Sequence, residues 1–134
     1  MISITTKSPY ALEALVELHL NGGPGPVPIA ELARRREIPV QFLEQLFANL
    51  RRAGILRSQR GVGGGYSFAR PAADVSVLEV VELLDGPVGH GADGVFADAA
   101  EAARTVLAAS TVAAVAEAEA RAAGAVSTAA PASR

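Results

Sequence analysis

The sequence contains no cysteine in its 134 residues. That excludes disulfides, a thiolate nucleophile, and any zinc or iron–sulfur site built on cysteine ligands. Histidine is almost as scarce. His19 and His90 stand far apart in the chain, and no carboxylate pair has a setting that suggests catalysis, so an enzyme is the poorest reading. Long apolar runs are missing as well. No stretch reaches the ~18–20 uninterrupted apolar residues of a membrane span, and Glu117, Glu119 and Arg121 interrupt the weakly apolar alanine tail. Lys7, Glu13, Glu17 and His19 likewise break what would be the apolar run of a signal peptide, so a cytoplasmic location is expected. Net positive charge is lacking too. The formal charge of −2 argues, by itself, against a nucleic-acid partner.

That total hides an asymmetry. Residues 30–70 hold eight arginines against Glu31, Glu37 and Glu44, a local net of +5. Residues 71–134 hold nine acids against Arg104, Arg121 and Arg134, a net of −6. A basic middle beside an acidic end fits a chain that turns one face to a polyanion. Hydrophobic content is 50%, but much of it is alanine in the last third. Large apolar side chains concentrate before Leu84, so one core is expected there, with an appendage after it.

Ser8-Pro9 reads as a helix opening, with Ser8 capping and Pro9 at the first helical position. Tyr10, Ala11, Ala14, Leu15 and Leu18 form its apolar stripe, and Asn21-Gly22-Gly23 ends it. Residues 22–28 are a loop with a short extended piece at Pro26 to Pro28. A second helix runs from Ile29 to about Arg36, and Pro39 fixes the turn before a third, Val40 to Ala53, closed by Gly54. In that third helix Leu43, Leu46, Phe47 and Leu50 follow the i, i+3, i+4, i+7 spacing of a buried face. Its other face shows Gln41, Glu44, Gln45, Ala48, Asn49 and Arg52, side-chain types that bond base edges. A polar outer face is also what a helix on a small domain shows with no ligand at all.

Residues 55–59 and 66–68 read as a hairpin whose tip is Arg60-Gly61-Val62-Gly63-Gly64-Gly65. Helix, turn, helix and hairpin in this order make a winged helix-turn-helix, which sends its second helix of the pair into the major groove. Gly61, Gly63 and Gly64 would let backbone approach a phosphate, while Arg60 would reach phosphates or a narrow minor groove. The tip is not a dinucleotide fingerprint, because the sixth position is Tyr66 and a strand follows. A merely tight hairpin stays open as the plainer account, though two glycines would suffice for it. Ser76-Val77-Leu78-Glu79 is a capping box opening a helix that stops at Asp85-Gly86-Pro87.

From Val95 to about Ala123 one more helix is expected, with Ser110-Thr111 as an interruption. Its thin seam (Phe96, Ala99 or Ala100, Ala103, Val106 or Leu107, then Val112, Val115 and Ala118) would be buried best against a copy of itself. The division is therefore 1–86 winged helix-turn-helix, 87–94 flexible loop, 95–123 dimerisation helix and 124–134 disordered tail.

With Thr6-Lys7, Tyr10-Ala11-Leu12, PVPIAELA (26–33), IPVQFLEQLFANLRRAGIL (38–56), RGVGGGY (60–66) and SVLEVVELLDG (76–86), the chain resembles the Rrf-type family of bacterial winged helix-turn-helix regulators, the IscR-, NsrR- and CymR-like proteins. The resemblance is close over roughly residues 1–86 and only architectural beyond 90. It implies a mainly α fold with a small β-hairpin wing and a long dimerisation helix. It also implies a homodimeric repressor on a palindromic operator in double-stranded DNA. Carried over position by position, Gln41, Glu44, Gln45 and Asn49 would lie at the major groove and Arg60 at the wing. Arg51, Arg52 and Arg57 would lie near phosphates. Many members hold an iron–sulfur cluster on three cysteines; the corresponding region, from Pro87, offers only His90, Asp93 and Asp98. No cofactor is expected. The signal is open between a small molecule in the cleft under the long helix, a partner protein, and none. A winged helix used mainly to bind another protein is the alternative function.

Overall fold

A computed structural model describes residues 7–132, and side chains as far as 124. Its elements are α1 (Lys7–Asn21), α2 (Ile29–Arg36), α3 (Val40–Arg52), β1 (Leu56–Gln59), β2 (Gly65–Phe68), α4 (Val77–Asp85), α5 (Gly94–Ala109) and α6 (Val112–Ala132), with one 3-10 turn at Ala72–Asp74. This is the mainly helical winged helix-turn-helix that the apolar spacing predicts. No helix among the described residues is long and apolar enough to cross a membrane.

The apolar stripes of the first three helices meet in one core. Leu15, Leu32, Leu43, Phe47 and Leu50 are each fully buried there, and removing such a side chain from water is worth about 1.5–3 kcal/mol. Between α2 and α3 the turn residue Glu37 takes φ 55°, ψ 48°, the left-handed region. Its N–H and that of Ile38 then close the helix on the Ala33 and Arg34 carbonyls. At the far end of α3, Gly54 (φ 82°) donates to Arg51 O at 3.0 Å and Ile55 donates to Leu50 O at 3.0 Å. These are the paired bonds of a Schellman stop, with Leu50 and Ile55 buried beside each other in sequence register. The capping box of Ser76 and Glu79 opens α4 as the sequence predicts.

Ser8 behaves differently from the sequence reading. It lies inside the first turn of α1, 3% exposed, and its N–H and hydroxyl both donate to Asp85 Oδ2 at the end of α4. A polar side chain expected as a local cap instead ties two helices together.

The C-terminal third departs further. The single helix expected over 95–123 is two, because Ser110 is extended and Thr111 forms an antiparallel bridge with Ser76. Val77 N–H donates to Ser110 O at 2.8 Å and Val112 N–H to Val75 O at 2.9 Å. Thr111 Oγ1 then accepts from Ala114 N–H at 3.1 Å, so α6 begins afresh. This helix folds back onto α1. Ala113 and Ala116 are buried opposite a helix whose own inner face includes Ala11 and Ala14, and side chains this small let two helices approach closely. Val112, expected on a dimer seam, is fully buried in the protomer's own core. Val115, Ala103 and Leu107, expected beside it, pack against the second cluster around Val77, Val81 and Val88. The tail expected from 124 is helical in its backbone through Ala132, since alanine favours helix without any apolar pattern. Residues 133–134 of that tail lie outside the described residues.

Candidate nucleic-acid interface

Burial of Leu43, Leu46, Phe47 and Leu50 on one side of α3 fixes what the other side shows. Gln41, Glu44, Gln45, Arg51 and Arg52 are exposed, and Ala48 and Asn49 are half-buried. Asn49 and Arg52, one turn apart, are joined: the Asn49 Oδ1 accepts from an Arg52 guanidinium N–H. Reading adenine takes both the donor and the acceptor of an asparagine amide. With its oxygen engaged, Asn49 keeps only its N–H donors open here.

The wing is fixed to α3 through the core. The Phe47 and Tyr66 rings meet edge to face at 5.1 Å between centroids. In the hairpin Leu56 pairs with Phe68, Arg57 with Ser67, Ser58 with Tyr66 and Gln59 with Gly65. Tyr66 also exchanges two backbone bonds with Val27, at 2.9 and 2.8 Å, which realises the extended piece expected at 26–28. The tip glycines all have reasons within this fold. Gly61 and Gly63 carry φ of 93° and 77°. A Cβ on Gly64 would stand 2.2 Å from Gln59 O, and one on Gly65 would stand 2.2 Å from Val27 O. Their number therefore needs no ligand to explain it. What remains unexplained by folding is the side chains of Arg60 and Val62, both exposed on the tip, Val62 completely.

Ion pairing sorts the eight arginines of the basic stretch into two groups. Arg34 and Arg35 pair with Glu31, Arg35 and Arg36 with Glu17, Arg36 with Glu119, and Arg70 with Glu79. The hydrogen bonds from Arg34 and Arg35 hold the Glu31 carboxyl down at about 2. Burial pushes Glu17 up, but bonds from Asn21, Arg36 and Arg35 outweigh it and leave its pKa below the usual value. Arg36 is raised, chiefly by its bond to Glu119, which is lowered in turn. Of these cations, Arg35 and Arg36 brace α2 against α1, and Arg36 also against α6. Among the described residues, Arg51, Arg52, Arg57 and Arg60 have no carboxylate within ion-pair distance. All four belong to the end of α3 and the hairpin, with Arg57 reaching only Ala69 O, at 3.4 Å. Sequence counting gave the whole stretch a +5 charge; the structure concentrates the uncompensated part on the end of α3 and the wing.

On α5 the structure separates two apolar stripes that the sequence reading merged. Ala100 is buried and Ala103 and Leu107 are half-buried toward α4. Val95, Ala99, Ala102, Val106 and Ala109 are all exposed, as is Phe96. Their 4-3-4-3 spacing is the one that would let a helix pair along this face. Beneath α5 lies an apolar cavity of about 220 Å³ between Pro9 and Leu12 of α1, Val77, Val80 and Val81 of α4, and Leu107. The segment 87–94, expected as a flexible loop, is a run of turns that buries Val88, whose N–H donates to Glu82 Oε2 at 3.3 Å. Among the described residues no three His, Cys, Asp or Glu side chains converge as metal donors.

Compared with known proteins, residues 4–118 match the family described as Rrf2, iron-dependent transcriptional regulator. The HTH-type transcriptional regulator IscR of Cereibacter sphaeroides is 43% identical over 100 residues, covering 69% of this chain and 64% of that protein. IscR of Escherichia coli is 41% identical over 85 residues, covering 63% and 52%. The chain thus spans between about half and two-thirds of the length of these relatives. Among solved structures, CymR, the global cysteine regulator of B. subtilis, matches with a TM-score of 0.78 at 27% identity, covering 87% of this chain and 98% of that one. T. potens IscR matches with a TM-score of 0.73 at 32% identity, covering 85% of each. The donors on this chain do not fit a thiolate-held iron–sulfur cluster. There is no cysteine anywhere, and the segment after α4 presents only the exposed His90, Asp93 and Asp98.

Proposed function

The chain belongs to the Rrf2 family of transcriptional regulators, and from that premise we propose that it is a sequence-specific DNA-binding repressor, acting in the cytoplasm as a homodimer without an iron–sulfur cluster. The observation that carries the reading is the sorting of arginines. Every arginine of the basic stretch that lies off the end of α3 and the hairpin is paired with a carboxylate, and none on them is, among the described residues. Four unpaired cations on a hairpin and the helix before it form a positive surface suited to phosphates. Earlier on α3, Gln41, Glu44 and Gln45 are exposed and are the side chains that would meet base edges, each good base contact being worth about 1–3 kcal/mol of discrimination. Arg60 and the glycine tip, Gly61, Gly63 and Gly64, follow the minor groove.

The exposed seam of α5 supports the homodimer: Phe96 stays exposed as the sequence pattern expects, Val106 is exposed where Val106 or Leu107 was open, and Val112 is buried in the protomer. Two-fold symmetry then asks for a roughly palindromic operator with half-sites ~34–36 Å apart. The test is an electrophoretic shift on fragments taken next to its own gene. A retarded complex at low salt, weakening steeply as salt rises, supports the reading. No shift at low salt, together with a stable complex with another protein, sinks it in favour of a protein-interaction module.

A further inference from the structure

Among the described residues, Leu12 alone packs against both apolar clusters, the main core and the smaller one built on Val77, Val81, Val88 and Ala100. The cavity beneath α5 lies at that junction. Its wall on α4 belongs to both sides, Val80 to the main core and Val77 and Val81 to the smaller cluster. Protein interiors leave few voids larger than a water molecule, and this one has about 220 Å³. The walls decide what can occupy it. They present carbon alone to the space. The one hydroxyl among them, on Ser8, is spent on Asp85 Oδ2. A water needs about two to four polar partners and finds none, and a charged or hydrogen-bonding molecule would be buried unpaired. Pro9 is exposed and Leu12 and Leu107 are half-buried, so these three form the mouth.

We propose that this cavity is the site of a small uncharged apolar molecule, a single-ring aromatic or a hydrocarbon of similar size, and that its occupancy tightens operator binding. The second half rests on the DNA-binding reading above; the first does not. Size agrees. An apolar cavity of about 150 Å³ accepts benzene, and about 220 Å³ leaves room for a ring with small substituents. The coupling follows from what the walls adjoin. Tyr10 lies between Pro9 and Leu12 in the chain, and its ring meets Phe42 edge to face at 5.6 Å between centroids. Phe42 stands in the first turn of α3, next to Gln41 and two residues before Glu44. On the α4 wall, Val80 is fully buried in the core that α3 shares. A molecule that fills the gap joins α1 to α4 and so fixes both helices against which α3 rests. DNA then meets a chain already ordered, and less ordering entropy opposes its binding.

The probe is benzene added to the full chain and followed by calorimetry, with benzoate as the charged control. Benzene is expected to bind with a Kd on the order of 1 mM or tighter, and benzoate not to bind. No binding of benzene, or equal binding of benzoate, overturns the site. Leu107→Phe and Leu12→Phe each put a ring at the mouth and are expected to weaken benzene about 10-fold or more; unchanged binding in both places benzene elsewhere and overturns the site. Leu12→Ala widens the mouth and is expected to keep benzene and to admit naphthalene, which separates a filled cavity from a lost fold. Equal naphthalene binding by the native chain and Leu12→Ala contradicts Leu12 as a wall. Benzene bound by Val106→Glu and not by the native chain gives the cavity to a second copy and overturns the ligand. Saturating benzene is expected to raise operator affinity about 5-fold or more, the lower end of ordinary coupling between two sites. Unchanged or weaker operator binding in its presence overturns the coupling, while the calorimetry still supports the site. Benzene bound by a chain that retards no DNA supports the site and overturns the operator reading.

Discussion

Arg60, Gln45 and Glu37 each carry a consequence that can be checked at a single position. Arg60→Ala is expected to weaken operator binding and to lower the slope of log affinity against log salt by about 1, since one phosphate neutraliser is gone. A titration at several salt concentrations that gives the native slope refutes the wing assignment. Gln45→Ala is expected to lower affinity for the operator by about 1–3 kcal/mol while leaving nonspecific DNA nearly unaffected; equal loss on both sequences contradicts a reading role. Glu37 holds a left-handed conformation that costs an L-residue roughly 1–2 kcal/mol and glycine almost nothing. Glu37→Gly is expected to stabilise the fold by about 0.5–1 kcal/mol in urea denaturation, the rest being offset by glycine's freedom when unfolded. The residues of α3 were legible in the sequence because a 3.6-residue period assigns both faces at once. The Asn49–Arg52 bond was not, since both groups look like equal candidates for bases until their side chains are placed.

Among the elements, the hairpin and α6 depend on contacts that local patterns do not announce. The extended piece at Val27 makes β2 an inner strand, and that neighbour is what leaves no room at Gly65. Gly65→Ala is expected to cost about 1–3 kcal/mol by breaking one of the Val27–Tyr66 bonds, read as a lower urea midpoint together with lost operator binding. A midpoint within error of the native one shows the crowding to be relieved elsewhere. The helix α6 was misjudged for a physical reason. A stripe of alanine and valine looks too thin to bury, and it is, except against a helix that also offers alanines. The charged hub that fastens it, Glu17 to Arg36 to Glu119, joins residues up to 102 positions apart and leaves no spacing in the sequence. Below the ordinary glutamate value of 4.5 this hub is expected to fail. Glu17, Glu31, Glu79 and Glu119 all have lowered pKa values in the fold, so their stabilisation is present above 4.5 and is lost as pH falls through the folded values, down to about 2 for Glu31. Thermal midpoints that do not decline in that window contradict the hub's role.

For the whole molecule the expectation is an assembly held by a face that the single chain leaves open. Val106→Glu, exposed in the protomer, is expected to leave the fold intact and to abolish the dimer in sedimentation, with operator affinity falling because two half-sites are no longer held together. A dimer that survives the charge shows that the seam lies elsewhere. The winged architecture was legible from residues 29–68 because caps, turns and periods agree there. The arrangement after Ala109 was not, because it is set by a single antiparallel bridge between Thr111 and Ser76. The tip of the wing carries a lesson for tracing descent. Its glycines satisfy the backbone alone, so a lineage that had ceased to recognise an operator would still be compelled to keep them. Erosion would show first at Arg60 and along Gln41, Glu44 and Gln45, and it is those four letters, more than the glycine signature, that mark which descendants still hold a promoter.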